Sequence, residues 1–503
     1  MKKKIYILTA LLGLLLVLFF VANFIIKNKI ESYLKNDLPP NISLSYKTVS
    51  ISLLAGNASI EQVNLLLKDK GINLKFSNLD FKNFHLIKLL FSDTIHIEDC
   101  NLKNPKISID QSQIKIIKDN NKANQKNQII IVDEFSIENA EMKLKDKLGK
   151  KELSFINGNS QIKNILFETN PKKEKKLKYK IENLTSENLF YRIDEEQYLT
   201  INKINSESQN LTFENLKIDY IKNNINKFNY IKKGNDLLSL NVKKLQLNPY
   251  FYSFDDLISI KSKSVSIVNP EFTIYSHLYS QNVKVEHKPL YSEWLRNLKI
   301  NLDIDKVVVI NGKIVYAEHD QLSNAPGKIS FTKLNATVKN FKNKDSINDL
   351  IDINATFNFM DTATSKVHWT ARIYNPKDEF TFKGYVKNLN INQLNLFTVN
   401  TLNAKSEGKI NQANFDFKGN NYDATGNMNV EFSDFKILLL KEKTKKERKI
   451  LNAINNIFTN RKEKEKDKII KNYTVLRDQN RPFFNFVWLF LKHGLLVKMT
   501  AIK

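Results

Sequence analysis

The chain has 503 residues, 42 % of them hydrophobic, and a formal net charge of +25. It has one cysteine, Cys100, so a scaffold held by intrachain disulfides is excluded. The basic residues are spread between strand-like segments instead of forming one stripe, which argues against a nucleic-acid-binding module. Attraction to anionic lipid headgroups fits this charge better.

Residues 5–26 form an uncharged stretch in which sixteen positions are Leu, Ile, Val or Phe. As a helix the stretch would reach about 33 Å, enough to cross the hydrocarbon core of a bilayer. It is too long for a cleaved signal peptide, the alternative, and no small-x-small cleavage site follows it. We therefore predict a cytoplasmic tail (1–4), a transmembrane anchor (5–26), and a juxtamembrane helix with linker (27–40), with the remaining chain exported.

A strand unit occurs twice, as V-D-E-F-S-I-E-N-A-E-M-K-L at 132–144 and as I-D-K-V-V-V-I-N-G-K-I-V-Y at 304–316. Each copy reads as an alternating strand, an Asn-small turn and a second alternating strand. Flanking segments recur in the same order, with offsets that drift from 153 residues (Gln62 to Asn215) to 176 residues (Asn164 to Asn340). Chance similarity is the alternative, but the preserved order favours a duplication with a first β repeat region at 41–197 and a second at 198–346.

Most of the remaining chain alternates apolar and polar residues, for example at 354–359. The same pattern predicts a C-terminal β region at 347–440. Such strands have one apolar face, which must fold over on itself, pair with another sheet or hold lipid. A short unit at 86–91 has a helical pattern. The predicted fold is mainly β: an N-terminal transmembrane helix, then an elongated, curved, repeat-built β-sheet shaped as a groove, with short helices at the C-terminus.

Residues 441–503 predict a charged and amphipathic helical tail. Within it the apolar run 483–491 is too short to span a bilayer. It would either cap the open end of the sheet or lie at a membrane interface, with Phe483, Phe484, Trp488 and Lys492 as the interfacial residues.

The common catalytic and nucleotide-binding motifs are absent from the sequence, which contains no H-E-x-x-H, no G-x-S-x-G and no phosphate-binding glycine loop. Asp303 and Asp305 share one strand face and could form a carboxylate pair, although a polar, solvent-facing strand is the simpler interpretation. We predict no catalytic residue, no metal and no cofactor.

Several segments carry a family resemblance: I-S-L-L-A-G-N-A-S-I at 51–60, and the stretches 86–90, 104–107, 406–410, 415–420 and 424–428. Through them most of residues 1–440 resembles the AsmA-like family of bacterial envelope proteins, whose relatives include TamB. The resemblance implies a single-pass inner-membrane protein with a cytoplasmic N-terminus and a periplasmic β domain. It further implies that this domain binds or conducts phospholipid along a hydrophobic groove and supports outer-membrane lipid homeostasis.

The expected partners are the inner membrane, phospholipids and an outer-membrane or periplasmic protein, with no nucleic acid. The alternative function is a non-enzymatic envelope scaffold or outer-membrane assembly adaptor with a closed β core. If lipid is bound, apolar strand residues should line the groove: Ile95, Ile97, Ile107, Ile109, Phe135, Ile137, Val307, Val309, Phe357 and Phe359.

Overall fold

The structure is a computed structural model of the chain. It describes residues 41–52, 56–84, 94–113, 128–146, 148, 152–169, 176–221, 236–254, 258–277, 287–319, 325–343, 350–401, 403–440 and 470–500. The predicted cytoplasmic tail (1–4), anchor (5–26), juxtamembrane segment (27–40), the helical unit at 86–91 and the part 441–469 of the C-terminal tail lie outside these residues.

The described residues are mainly strand, as predicted, and form two compact units divided between Leu216 and Lys217. In the first unit β1 and β2 both pair with β3, and the order continues β3–β4–β5/β6–β7–β8–β9–β10. The strands are β1 (Ile42–Ser45), β2 (Thr48–Ser52), β3 (Asn57–Leu67), β4 (Ile72–Phe84), β5 (Thr94–Lys103), β6 (Lys106–Asp110), β7 (Gln128–Lys145), β8 (Glu152–Thr169), β9 (Lys176–Arg192) and β10 (Gln197–Glu207), followed by β11 (Asn210–Tyr220) at the division.

The second unit continues with strands that pair in chain order from β12 to β21. These are β12 (Leu237–Phe254), β13 (Ile258–His277), β14 (Ile300–His319), β15 (Gly327–Lys342), β16 (Leu350–Phe359), β17 (Ala363–Arg372), β18 (Phe380–Asn390), β19 (Ala404–Gly419), β20 (Asp423–Leu439) and β21 (Ile470–Leu476). Its helices are α1 (Tyr291–Arg296), α2 (Asn395–Thr401) and α3 (Phe483–Thr500). The C-terminal tail (441–503), predicted to be charged with amphipathic helices, also contains a strand, because the edge of β20 accepts β21 as a partner.

Among the strand pairings of the described residues, each unit has one parallel junction and the other pairings are antiparallel. In the first unit β5 and β6 pair with β7 in parallel, and in the second unit β13 pairs with β14 in parallel. A parallel pair needs a crossover connection of about a dozen residues or more. The two connections are long enough, and the second contains α1.

The Asn-small pairs at Asn139-Ala140 and Asn311-Gly312 are not turns, which corrects the sequence interpretation. Each lies inside one continuous strand, β7 or β14, where the register with the next strand shifts. At each site one extra residue in the left-handed region forms a β-bulge. The bulge breaks the alternation of apolar and polar residues, and the apolar residues after it lie on the same face of the sheet as those before it. Asn tolerates that conformation better than most residues, and glycine is scarce in this chain.

The same asparagine network forms at both bulges. In the first unit the Asn139 backbone N–H donates to Asn159 Oδ1 at 2.9 Å, and the Asn139 amide donates to Asn104 Oδ1 at 3.3 Å. In the second unit Asn311 makes the equivalent bonds to Asn335 Oδ1 at 3.1 Å and Asn269 Oδ1 at 2.9 Å. Five pairs of equivalent positions have positive φ: Gln62/Asn215, Asn104/Asn269, Asn139/Asn311, Asn157/Lys333 and Asn164/Asn340. The local backbone therefore repeats at the spacings that relate the two sequence copies.

Candidate functional site

In the first unit the apolar residues align in rungs that run across the strands. Phe81 pairs with Cys100, Cys100 with Phe135, and Phe135 with Ile162. All four side chains are buried, and burial raises the pKa of the Cys100 thiol. We call the surface that they share with their buried neighbours the closed face: Ala58, Ile60, Leu79, Phe81, Cys100, Leu102, Phe135 and Ile162. A single sheet would leave this face in water, so its burial shows that it is covered.

In the second unit two comparable rungs are half-buried. One runs through Leu245, Ile267, Val309, Ala336 and Ala355 as successive cross-strand neighbours. The other lies beyond the bulge and runs through Leu240, Phe272, Ile314, Phe331 and Phe359. We call these ten residues the open face.

The predicted lining residues fall into these two settings. In the first unit Ile95, Ile97, Ile109 and Phe135 are buried, and Ile107 and Ile137 are half-buried against the same cluster. A lipid would reach the buried four only if the cluster opened. In the second unit Val309, Phe357 and Phe359 are half-buried, whereas Val307 is buried. Sequence reasoning missed most of the open face: Leu240, Leu245, Ile267, Phe272, Ile314, Phe331, Ala336 and Ala355. The repeat could have identified them, since Leu240 and Leu245 align with Leu74 and Leu79, which are core residues of the first unit.

Ile107 also lines a shallow, solvent-open depression of about 430 Å³ between β4, β6, β7 and β8. Its other walls include Met142 and the charged side chains of Lys75, Lys106 and Glu141. Lys106 Nζ lies 3.0 Å from Glu141 Oε1, so part of that charge is neutralised within the wall. The mixed lining suits a headgroup or solvent better than an acyl chain.

At its far end the sheet of the second unit is covered by α3. Phe490 stacks on Phe417 with ring centroids 4.0 Å apart, and Phe483 stacks on Trp369 at 4.7 Å. A Cβ at Gly494 would lie 2.6 Å from Tyr473 Oη, so glycine permits the close approach of helix and strand. The run 483–491 thus acts as a cap, and Phe483 is inaccessible to a membrane surface. The other three predicted interfacial residues lie outside this contact: Phe484 and Lys492 are exposed and Trp488 is half-buried.

A polar cluster lies at the ends of β12, β13 and β14. Burial raises the pKa of Asp236, although a hydrogen bond with Ser276 opposes the shift. The Tyr316 hydroxyl donates to Glu318 Oε2 at 2.6 Å, and burial together with that carboxylate raises the pKa of Tyr316. No group of three or more potential metal ligands occurs among the described residues. The raised pKa values follow mainly from the burial of these polar groups at the strand ends.

Asp303 and Asp305 take part in a charge network with two lysines. Lys342 Nζ lies 2.9 Å from Asp303 Oδ1 and 3.1 Å from Asp305 Oδ1, and Lys261 Nζ lies 3.2 Å from Asp303 Oδ2. The hydrogen bond from Lys342 holds the pKa of Asp303 below its ordinary value and raises the pKa of Lys342. A general acid requires the opposite shift in its carboxyl group.

A buried ion pair ties α1 to the end of the sheet. Arg296 Nη1 and the Ser292 hydroxyl both donate to Asp378 Oδ1 at 2.8 Å. Arg477 donates to the Asn421 side chain and to the Lys288 carbonyl oxygen. Desolvation lowers the pKa of Arg477. These bonds join α1 and the segment before it to the loops at the end of the sheet, which makes their role one of positioning.

No family model matches the chain. None of the curated proteins matches it significantly. Across the described part of the chain, no helix has the length and apolar character needed to cross a bilayer.

Proposed function

We propose that this protein handles phospholipid, with acyl chains lying on the open face and headgroups in water. The observation that carries the proposal is the pair of half-buried apolar rungs between β12 and β16. Apolar surface of this continuity is normally buried or marks a binding site.

The dimensions of the open face suit one acyl chain. Five strands at about 4.8 Å spacing give a rung about 19 Å long. An acyl chain spans half of a bilayer core of about 30 Å, which is about 15 Å. Each methylene moved from water onto apolar surface contributes up to about 0.8 kcal/mol, so a bound chain could be held firmly.

In the proposed setting the protein is an AsmA-like, single-pass inner-membrane protein. Residues 5–26 anchor it, the β units lie in the periplasm, and phospholipid passes along an elongated, curved groove toward the outer membrane. The sequence resemblance and the uncharged apolar stretch support this setting.

The test is site-specific photo-crosslinking in cells at Val309, with Val308 as the matched control. The two residues are neighbours on β14 and face opposite sides of the sheet, and both are half-buried. We expect a phospholipid adduct at Val309 and none at Val308. Absence of an adduct at Val309 would overturn the proposal, and equal adducts at both positions would show nonspecific contact with lipid and also count against it.

A second candidate function is a scaffold or outer-membrane assembly adaptor that contains no lipid. The closed face favours it, because the first unit already buries its apolar residues against one another. Purification of the protein with a stoichiometric protein partner and without lipid, measured by mass spectrometry, would support the scaffold over the lipid carrier.

A further inference from the structure

Two neighbouring helices present exposed aromatic side chains where α1 lies beside the start of α3. Tyr291 is 42 % exposed, Trp294 51 % and Phe484 45 %. Tyr291 and Trp294 are three residues apart on α1 and so lie on one side of it. The ring centroids of Tyr291 and Phe484 are 6.2 Å apart, which joins the two helices into one surface.

The outward side of α3 continues this surface. Phe484, Trp488 and Lys492 follow one another at intervals of four residues and therefore share a ridge of the helix. The opposite side, with Phe483 and Phe490, is buried against the sheet. A helix that is apolar on both sides needs a second apolar environment.

Basic side chains lie at both ends of that ridge. Arg481 precedes the helix and Lys492 follows Trp488 by one turn, and both are exposed. Two acidic groups lie nearby: Glu293 Oε2 is 3.0 Å from His287 Nε2, and Asp478 Oδ2 is 3.9 Å from Arg481 Nε, so part of the Arg481 charge is neutralised locally. The chain as a whole carries a net charge of +25.

We propose that Tyr291, Trp294, Phe484, Trp488, Arg481 and Lys492 form a docking surface for an anionic membrane. Tyr and Trp rings partition to the headgroup level of bilayers, and lysine and arginine contact anionic headgroups beside them. This mixture of residues suits a lipid surface better than a protein groove. The proposal is independent of lipid movement along the open face, since it concerns a different surface of the second unit.

The experiment uses full-length protein held in nanodiscs, mixed with vesicles of phosphatidylethanolamine and phosphatidylglycerol. Any membrane anchor of the protein is already inserted in the nanodisc. Flotation of nanodiscs together with vesicles therefore requires a second contact between the protein and a membrane. We expect Trp294→Gln and Phe484→Gln each to weaken flotation by about tenfold. The matched control is Leu396→Gln, an exposed apolar residue of α2, which should float as the wild type does. Uncharged phosphatidylcholine vesicles should float less protein.

Tryptophan quenching gives a second readout, because the chain has only three tryptophans. Vesicles with brominated acyl chains should quench a variant that retains only Trp294 (Trp369→Phe with Trp488→Phe). A variant that retains only Trp369, which stacks on Phe483, should not be quenched. Failure of the wild type to float, or flotation unchanged by both glutamine substitutions, would overturn the docking surface. A lipid adduct at Val309 could survive either failure, so the two proposals are separable.

Discussion

The closed face of the first unit and the open face of the second are built on the same strand pattern and end in different states. Leu79 and Leu102 are cross-strand neighbours and are 1 % and 2 % exposed. Their equivalents Leu245 and Ile267 are also cross-strand neighbours but are half-buried. Both pairs lie beside a parallel junction, so strand topology alone does not decide whether an apolar rung is sealed.

Side-chain size differs at the rung next to these pairs, yet that rung is buried in both units. Phe81 and Phe135 of the closed face lie where Leu247 and Val307 lie in the second unit, and all four side chains are buried. Size at this rung therefore does not decide which face is open. A duplicated backbone can thus supply a packed core in one copy and an accessible apolar strip in the other.

Truncation of equivalent residues in the two units tests most directly whether the two faces are packed differently. Phe135→Ala should lower the free energy of unfolding by about 3–5 kcal/mol, because it leaves a cavity in a packed cluster. Val307→Ala should cost about 2 kcal/mol or less, because it removes fewer methyl groups. Denaturant unfolding followed by circular dichroism measures both, and equal losses would show that the two rungs are packed alike.

Removing the cap should extend the open face toward the end of the second unit. Phe490→Ala should cost about 3–4 kcal/mol and expose α3 to protease, because Phe490 stacks on Phe417 and Tyr473. Phe484→Ala is the matched control, since that residue is exposed. If the two variants resist protease equally, the helix does not depend on its buried ridge.

The bulges offer a test of the repeated backbone. Asn311→Ala should be less stable than Asn311→Gly by about 1 kcal/mol, because alanine is strained at a φ of 52° and glycine is not. Asn139, with a φ of 55°, should show the same order. Thermal unfolding measures the ranking, and a reversed order at either site would mean that the greater chain entropy of glycine in the unfolded state outweighs the backbone strain of alanine.

Asp236 gives a pH-dependent prediction for the edge of the open face. Its pKa is raised, so the folded state favours the neutral carboxyl, and ionisation destabilises the fold as the pH rises through that pKa. Asp236→Asn should therefore raise the unfolding midpoint at pH 7. The advantage should vanish below about pH 4, where the carboxyl is protonated in both states. An advantage of equal size at both pH values would assign the effect to something other than ionisation.

The smallest effect is expected at the charge network on β13, β14 and β15. Lys342→Met should lower stability by about 1 kcal/mol or less, because the ion pairs are partly exposed and screened. The loss should shrink in high salt, as measured by denaturant unfolding at two ionic strengths.

Much of the candidate site was within reach of sequence reasoning. The alternation of residues around Val309 predicted an apolar strand face, and the repeat aligned Leu245 with Leu79. Breaks in alternation at Asn139 and Asn311 were misinterpreted as turns, because an extra residue inside a strand and a reversal of the chain leave the same local pattern. Tyr291 was missed because its partner Phe484 is almost two hundred residues away in sequence.

The amino-acid order alone determined the strand-rich fold, the spacing of the two copies and the apolar character of one face, since these follow from local periodicity. Only the tertiary structure decided which apolar residues are covered, where α3 packs and which aromatic rings remain in water. Burial depends on which distant segments pack against a face, and the local sequence around a residue does not determine those contacts.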